Sequence, residues 1–323
     1  MITVNRLRHG GIMANYRCNA ACRHCLYACS PDRAEGYIDK DTVESVCNLL
    51  LEGGCRSVHI GGGEPFLDFG GLIMLVQKLI QNGISVDYIE TNAYWAADRN
   101  QAKNQLRELQ RAGADTLCIS LDPYHAEYVP VDLPLTLAEI CQSVDFGYFI
   151  WQERFLNIMS RVDKSKTHTR EELEQLISPD YIYSTARSYG IHPSGRAIGI
   201  EAEYVPNKPI ETILNTRPCI NLLSGEHFHV DMFGNFIPPG CTGIVIPLSD
   251  AVNGIPDRKY PVFEALLNGG NKALLQYATE LGFSPEPNGY PSGCALCFHI
   301  RCWLSKNALS PELDADYYTE AIK

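Results

Sequence analysis

Three cysteines stand at spacings of four and three residues in Cys18-Asn19-Ala20-Ala21-Cys22-Arg23-His24-Cys25. A Cys-x3-Cys-x2-Cys loop turns just far enough to present sulfur three times to one corner-sharing iron cluster. Such a loop gives a [4Fe-4S] cube three ligands for its four irons, so one iron is left to hold something that is not protein. Structural zinc is the competing reading, with His24 or Cys29 as fourth ligand, although zinc sites more often use paired Cys-x2-Cys steps. On the triplet alone, iron–sulfur and other metals both stay open.

A second segment bears on the choice. The short apolar run Ser57-Val58-His59-Ile60 leads into Gly61-Gly62-Gly63-Glu64-Pro65. Three glycines leave backbone N–H and C=O groups bare beside a fixed carboxylate, an edge suited to a ligand that carries an ammonium group. The two segments, in this order and about forty residues apart, resemble the signatures of the radical S-adenosylmethionine superfamily. The likeness is good over residues 10 to about 125 and loose beyond them.

That resemblance implies a catalytic [4Fe-4S] cluster on Cys18, Cys22 and Cys25, whose free iron chelates the amine and carboxylate of S-adenosylmethionine. It implies that Gly62, Gly63 and Glu64 hold the amine and that His24 contacts the adenine. Thr91, Asn92, Ser120 and Asp122 are then candidates for the ribose and carboxylate. One electron from an external reductant such as flavodoxin or ferredoxin would give a 5'-deoxyadenosyl radical that abstracts hydrogen from a substrate. The protein's share would be positioning and shielding.

Elements must deliver these segments to one place. Ile12 to Tyr16 reads as a first strand running into Cys18. A helix from Asp39 carries Val43, Val46, Cys47, Leu50 and Leu51 on one stripe and stops at Gly53-Gly54. Strand Ser57 to Ile60 follows, then a helix from Phe69 with Leu72, Leu75, Val76 and Leu79 on one face, ended by Asn82-Gly83. Ile84 to Glu90 is a third strand, Arg99 to Ala112 a third helix, and Thr116 to Leu121 a fourth strand. Strands alternating with helices imply right-handed crossovers and a parallel sheet that binds ligands at the carboxyl ends of its strands. The cysteine loop, Gly62 to Glu64, Thr91-Asn92, and Ser120 with Asp122 all fall at such ends. An α/β fold is expected, and the resemblance implies a partial (β/α)6 TIM-type barrel. Gly147 to Trp151 reads as the fifth strand, Arg170 to Ile177 and Pro179 to Gly190 as helices, and Ala197 to Glu203 as the sixth strand.

After Val205 the composition shifts toward Pro, Gly and Asn, so a boundary is set there, giving a barrel at 1–205 and a small cysteine-rich domain at 206–323. His227 to Ile237 alternates around a Gly234-Asn235 turn and predicts a β-hairpin. Cys219 precedes the hairpin, Cys241 follows it, and Cys294, Cys297 and Cys302 lie in the tail. Four thiolates around one metal centre would supply the binding energy that replaces a missing core. The region resembles the SPASM and Twitch extensions of the same superfamily, which implies a second, auxiliary [4Fe-4S] cluster. A full SPASM domain has seven cysteines where this tail has five, so one cluster is expected with one cysteine left over. Structural zinc remains the alternative. His227 and His229 are left open as a substrate or cluster contact.

At 323 residues with a net charge of -11, the chain has no basic stripe, which argues against nucleic acid as a partner. Neither an apolar leader nor a membrane span is legible, so a cytoplasmic protein away from the membrane is expected, with its clustered cysteines used for metal. Three functional classes follow: a radical oxidoreductase or maturase acting on a peptide or protein, the same chemistry on a small metabolite, and a non-catalytic iron–sulfur electron carrier. In Asp122-Pro123-Tyr124-His125, His125 or Tyr124 is a candidate for substrate contact or proton relay, set against an ordinary turn with a surface histidine.

Overall fold

The computed structural model describes residues 2–323. Its centre is one open sheet in the order β5-β4-β3-β2-β1-β6-β7-β8. The strands are β1 (His9–Met13), β2 (Ser57–Gly61), β3 (Ser85–Thr91), β4 (Thr116–Ser120), β5 (Gly147–Trp151), β6 (His227–Val230), β7 (Asn235–Ile237) and β8 (Ile246–Pro247). Strands β1 to β6 run parallel, while β7 and β8 pair antiparallel.

The first three crossovers follow local sequence rules. Helix α1 (Lys40–Gly53) starts where the Asp39 carboxylate accepts from the Thr42 backbone N–H at 2.8 Å, and ends at Gly54 with φ +92°. Helix α2 (Phe69–Gln81) buries Leu72, Leu75, Val76 and Leu79, the stripe expected from the period. Helix α3 (Arg99–Ala112) is capped by Asp98 and closed by Gly113 with φ +109°. Each buries one apolar face against the sheet residues Val58, Ile60, Ile89 and Leu117, the layer that holds the strand ends in register. Cys47, Cys55 and Cys141 belong to this core, as small buried side chains.

Two expectations need correction. Ala197 to Glu203, expected as the sixth strand, is a helix, Ala197–Tyr204, that buries only Ala197 and Ile200 at helical i, i+3 spacing. In a stretch this short, alternation and helical period are hard to separate. The sixth parallel strand is β6, the first arm of the expected hairpin, and it pairs with β1 through His9↔His227 to Ile12↔Val230. Strand β5 therefore remains a sheet edge, and the sheet does not close. The turn between β6 and β7 forms as expected, with Gly234 at φ +80° and Asp231 accepting from the backbone N–H groups of Phe233 and Asn235. The tail is also more regular than its composition implies, because Cys294, Cys297 and Cys302 all lie on the helix Gly293–Lys306.

Leu75 is fully buried between α2 and the sheet. Leu75→Ala is expected to cost about 2–5 kcal/mol, read as a lowered urea midpoint at an unchanged m-value; a loss below about 0.5 kcal/mol would contradict this packing.

Candidate functional site

The cysteine loop follows β1, and the chain that positions it is polar. Asn15 accepts from the Gly63 N–H at 3.0 Å through Oδ1 and donates to the Glu64 carbonyl at 3.0 Å through Nδ2. A Cβ on Gly63 would sit 2.0 Å from the Arg17 carbonyl oxygen, and one on Gly62, at φ +153°, 2.5 Å from Asn15 Oδ1. Only glycine lets the two backbones approach this closely.

Glu64 is 1% exposed, and both its oxygens are taken. Oε1 accepts from the Thr91 hydroxyl at 2.9 Å and the Phe66 N–H at 3.2 Å, and Oε2 from the Asn92 N–H at 2.7 Å. Burial pushes its carboxyl up to about 7, against the pull of those donors. The carbonyls of Gly62 and Gly63, by contrast, accept no hydrogen bond among the described residues. The free acceptors of this edge are therefore backbone oxygens, while the carboxylate ties the end of β2 to the end of β3.

That tie places Asn92, whose Nδ2 donates to Asn19 Oδ1 at 2.8 Å and lies 3.8 Å from Cys18 Sγ. Backbone N–H groups of Ala20 and Cys29 point at the sulfurs of Cys18 and Cys25, each at 3.4 Å. Donors of this kind stabilise thiolates and tune clusters. Cys25 is lowered to about 5, first by Cys29 and then, against burial, by Arg196. Cys18 is raised well above the ordinary thiol value, chiefly by burial. Sulfurs fed by donors in this way at Cys18 and Cys25 suit thiolate ligation of a cluster.

Beyond β4, Asp122 caps the helical turn Pro123–Ala126, and its Oδ2 accepts from His125 Nδ1 and the Tyr189 hydroxyl, both at 2.6 Å. Tyr124 is fully buried with its hydroxyl on the Ile182 carbonyl, so it has no free group to offer a substrate. His24 stacks on Tyr124 at 4.5 Å and leaves Nδ1 buried without a hydrogen bond; burial brings it down to about 4. Ser120 closes β4 opposite Trp151. His24, Asp122 and His125 thus converge beside the cysteine loop, while Thr91 and Asn92 serve Glu64 and Cys18. Sequence reading missed Asn15, Tyr189 and Arg196. Asn15 carries a faint signal, a polar residue ending an apolar strand. Arg196 has no local signal, yet its Nε donates to the Cys22 carbonyl at 3.0 Å and its backbone N–H to the Cys25 carbonyl at 3.1 Å.

Asp122 is held well below the ordinary carboxylate value: burial alone would raise it, and the His125 charge outweighs burial. His125 is raised well above the ordinary imidazole value, burial again being outweighed, here by Asp122 and Cys22. The depressed aspartate stabilises the fold above its unfolded value and loses that as pH falls. The raised histidine stabilises it fully below its unfolded value and loses that as pH rises through the folded one. The pair contributes most between roughly pH 4 and 6.5.

A second group of cysteines lies in the C-terminal part. Burial raises the thiols of Cys219, Cys241 and Cys294, and neighbouring cysteines add to it: Cys297 for Cys219, Cys297, Cys219 and Cys294 for Cys241, and Cys297 and Cys219 for Cys294. Cys302 is buried in the core and feels only Cys297 of this group. Arg301 is 3% exposed, has no carboxylate partner among the described residues, and leaves Nε without a hydrogen bond. Its remaining contacts are the Thr242 carbonyl and the Tyr318 hydroxyl. A buried guanidinium needs an anion, and four thiolates around a cluster would supply one.

Asp122→Asn should bring His125 down toward the ordinary imidazole range, followed as histidine ring resonances against pH in the full chain. A His125 titration that is the same in both proteins would contradict the ion pair.

Comparison with known proteins agrees with this geometry. The model of the Radical SAM superfamily matches residues 13–144. A putative peptide biosynthesis protein, YydG of Bacillus subtilis, is 25% identical over 160 residues, 49% of this chain and 47% of that one. A GTP 3',8-cyclase of Listeria welshimeri is 31% identical over 118 residues, 34% of this chain and 32% of the enzyme. The chain therefore spans about half the length, or less, of these relatives. Among solved structures, BtrN in complex with AdoMet and 2-DOIA aligns with a TM-score of 0.44 at 13% identity, covering 84% of this chain and 91% of that one. Streptococcus suis SuiB bound to precursor peptide SuiA gives 0.39 at 13%, covering 91% and 76%. Scores at this level carry no weight on what the chain binds. Over residues 13–144 the chain is therefore similar to the radical SAM superfamily.

Proposed function

We propose that this chain is a radical S-adenosylmethionine enzyme that modifies a peptide or protein side chain. The observation that carries the reading is the assembly of the cysteine triplet and the bare Gly62-Gly63 backbone at one carboxyl edge of the sheet, locked together by Asn15, Glu64 and Asn92. Cys18, Cys22 and Cys25 would hold the catalytic [4Fe-4S] cluster, and the Gly62 and Gly63 carbonyls would take the methionyl ammonium. Glu64 shapes that edge instead of binding the ligand itself. Bound there, the cluster and S-adenosylmethionine supply a 5'-deoxyadenosyl radical on receipt of one electron from an external reductant such as flavodoxin or ferredoxin. His24, Asp122, His125 and Tyr189 wall the same space, and His125 is the residue placed to hold or move a proton there.

Cys219, Cys241, Cys294 and Cys297 are the four we assign to an auxiliary [4Fe-4S] cluster, with Cys302 left over; the division into 1–205 and 206–323 is kept on that functional ground. An electron carrier would need neither a three-cysteine loop nor an ammonium-binding edge. The peptide substrate is favoured by the likeness to YydG, whose name refers to peptide biosynthesis. The higher identity to a GTP 3',8-cyclase over a shorter stretch supports a small nucleotide-like metabolite as the second reading. No described helix is long and apolar enough to cross a membrane.

Anaerobic reconstitution should give about eight irons per chain and reductive conversion of S-adenosylmethionine to 5'-deoxyadenosine. Cys22→Ala should abolish that cleavage. Cys297→Ala should remove about four irons, and Cys302→Ala none. Iron bound without cleavage under several reductants would overturn the enzymatic reading. Iron loss on Cys302→Ala equal to that on Cys297→Ala would overturn the ligand assignment.

A further inference from the structure

On β2 and β6, three histidines meet for which the reading above has no use. His59 on β2 and His229 on β6 are separated by β1, and both stand in one row with Gly11, which pairs with each of them. Strands lie about 4.8 Å apart, so two imidazoles reaching inward can touch across β1 only if the residue between them has no side chain. A Cβ on Gly11 would sit 2.3 Å from His59 Nε2 and 2.4 Å from His229 Cδ2. With glycine there, the two Nε2 atoms are 3.0 Å apart. His227 completes the group, its ring 5.4 Å from that of His59 and 5.2 Å from that of His229, and one ring nitrogen from each of the three lies within 4.8 Å of the others.

We propose that His59, His227 and His229 form a binding site for one divalent first-row metal ion of the zinc type, with Glu90 as fourth ligand. Nitrogens bound at 2.0–2.1 Å to a tetrahedral ion stand about 3.3 Å apart, close to the spacing His59 and His229 already hold. Glu90 Oε1 is 3.9 Å from His59 Nε2, on a side chain that is 46% exposed and has room to swing. The outer shell is present as well: His229 Nδ1 is 2.8 Å from the Tyr27 hydroxyl, which accepts the Nδ1 proton when Nε2 binds metal. Tyr88 stacks on His59 at 5.0 Å and fixes its plane. His227 is exposed where the inner two are buried, which gives an ion a way in. Imidazole and carboxylate ligands suit zinc and its neighbours and not an iron–sulfur cluster. Bound here, the ion would staple β2 to β6 across β1, and through Glu90 it would reach β3 one residue before Thr91, which holds Glu64.

The test uses the full chain with its clusters reconstituted, dialysed against a chelator and then titrated with Zn2+ while iron and zinc are counted. One zinc per chain with a nitrogen and oxygen shell in zinc-edge X-ray absorption is expected. Zinc affinity should fall at least tenfold in His227→Asn, whose position is exposed and should not disturb folding, and at least as far in His59→Gln/His229→Gln. Iron content and circular dichroism should be unchanged in His227→Asn. Zinc with sulfur in its shell, zinc binding equal in wild type and His227→Asn, or no zinc retained above buffer would each overturn the site.

Discussion

The buried carboxylate of Glu64 is the constraint on which the candidate site depends. Taking a carboxylate out of water is unfavourable unless donors replace the lost hydration, and here the replacements are the Thr91 hydroxyl and the backbone N–H groups of Phe66 and Asn92. Because these donors come from two strand ends, satisfying Glu64 fixes β2 relative to β3. Asn92 is then aimed at Cys18 and Asn19, and Thr91 is held in turn by the Trp95 indole N–H at 2.9 Å. One buried carboxylate, met by these three donors, thus organises the cysteine loop and leaves the glycine carbonyls free.

The opposite wall is set by segments far away in the chain. Asp122, at the end of β4, gathers His125 and Tyr189, and Arg196 reaches the carbonyls of Cys22 and Cys29. Gly195 makes that approach possible, since a Cβ there would meet the Leu26 carbonyl at 2.3 Å. The irregular stretch between β5 and β6 therefore functions as a brace on the cysteine loop.

The C-terminal part reverses the charge problem. Arg301 is a buried cation among thiols and aromatic rings, lying 5.7 Å from the Tyr318 ring centroid and 5.8 Å from that of Phe298. It is matched electrostatically only if the neighbouring thiols are ionised, which ties the packing of this half to the state of Cys219, Cys241, Cys294 and Cys297.

Local pattern alone determined the parallel α/β layer, the three helices and their buried stripes, and the position of Cys18 to Cys25 and Gly62 to Glu64 at strand ends. Those features rest on periods of 2 and 3.6, caps and glycine stops, which act within a few residues. Tertiary structure decided the partner of β6, the helical state of Ala197–Tyr204, the hydrogen-bond partners of Glu64 and Asp122, and the meeting of His59 with His229 over Gly11. Each of these depends on which distant strand or loop lies alongside, a matter of register and burial that short-range spacing does not encode.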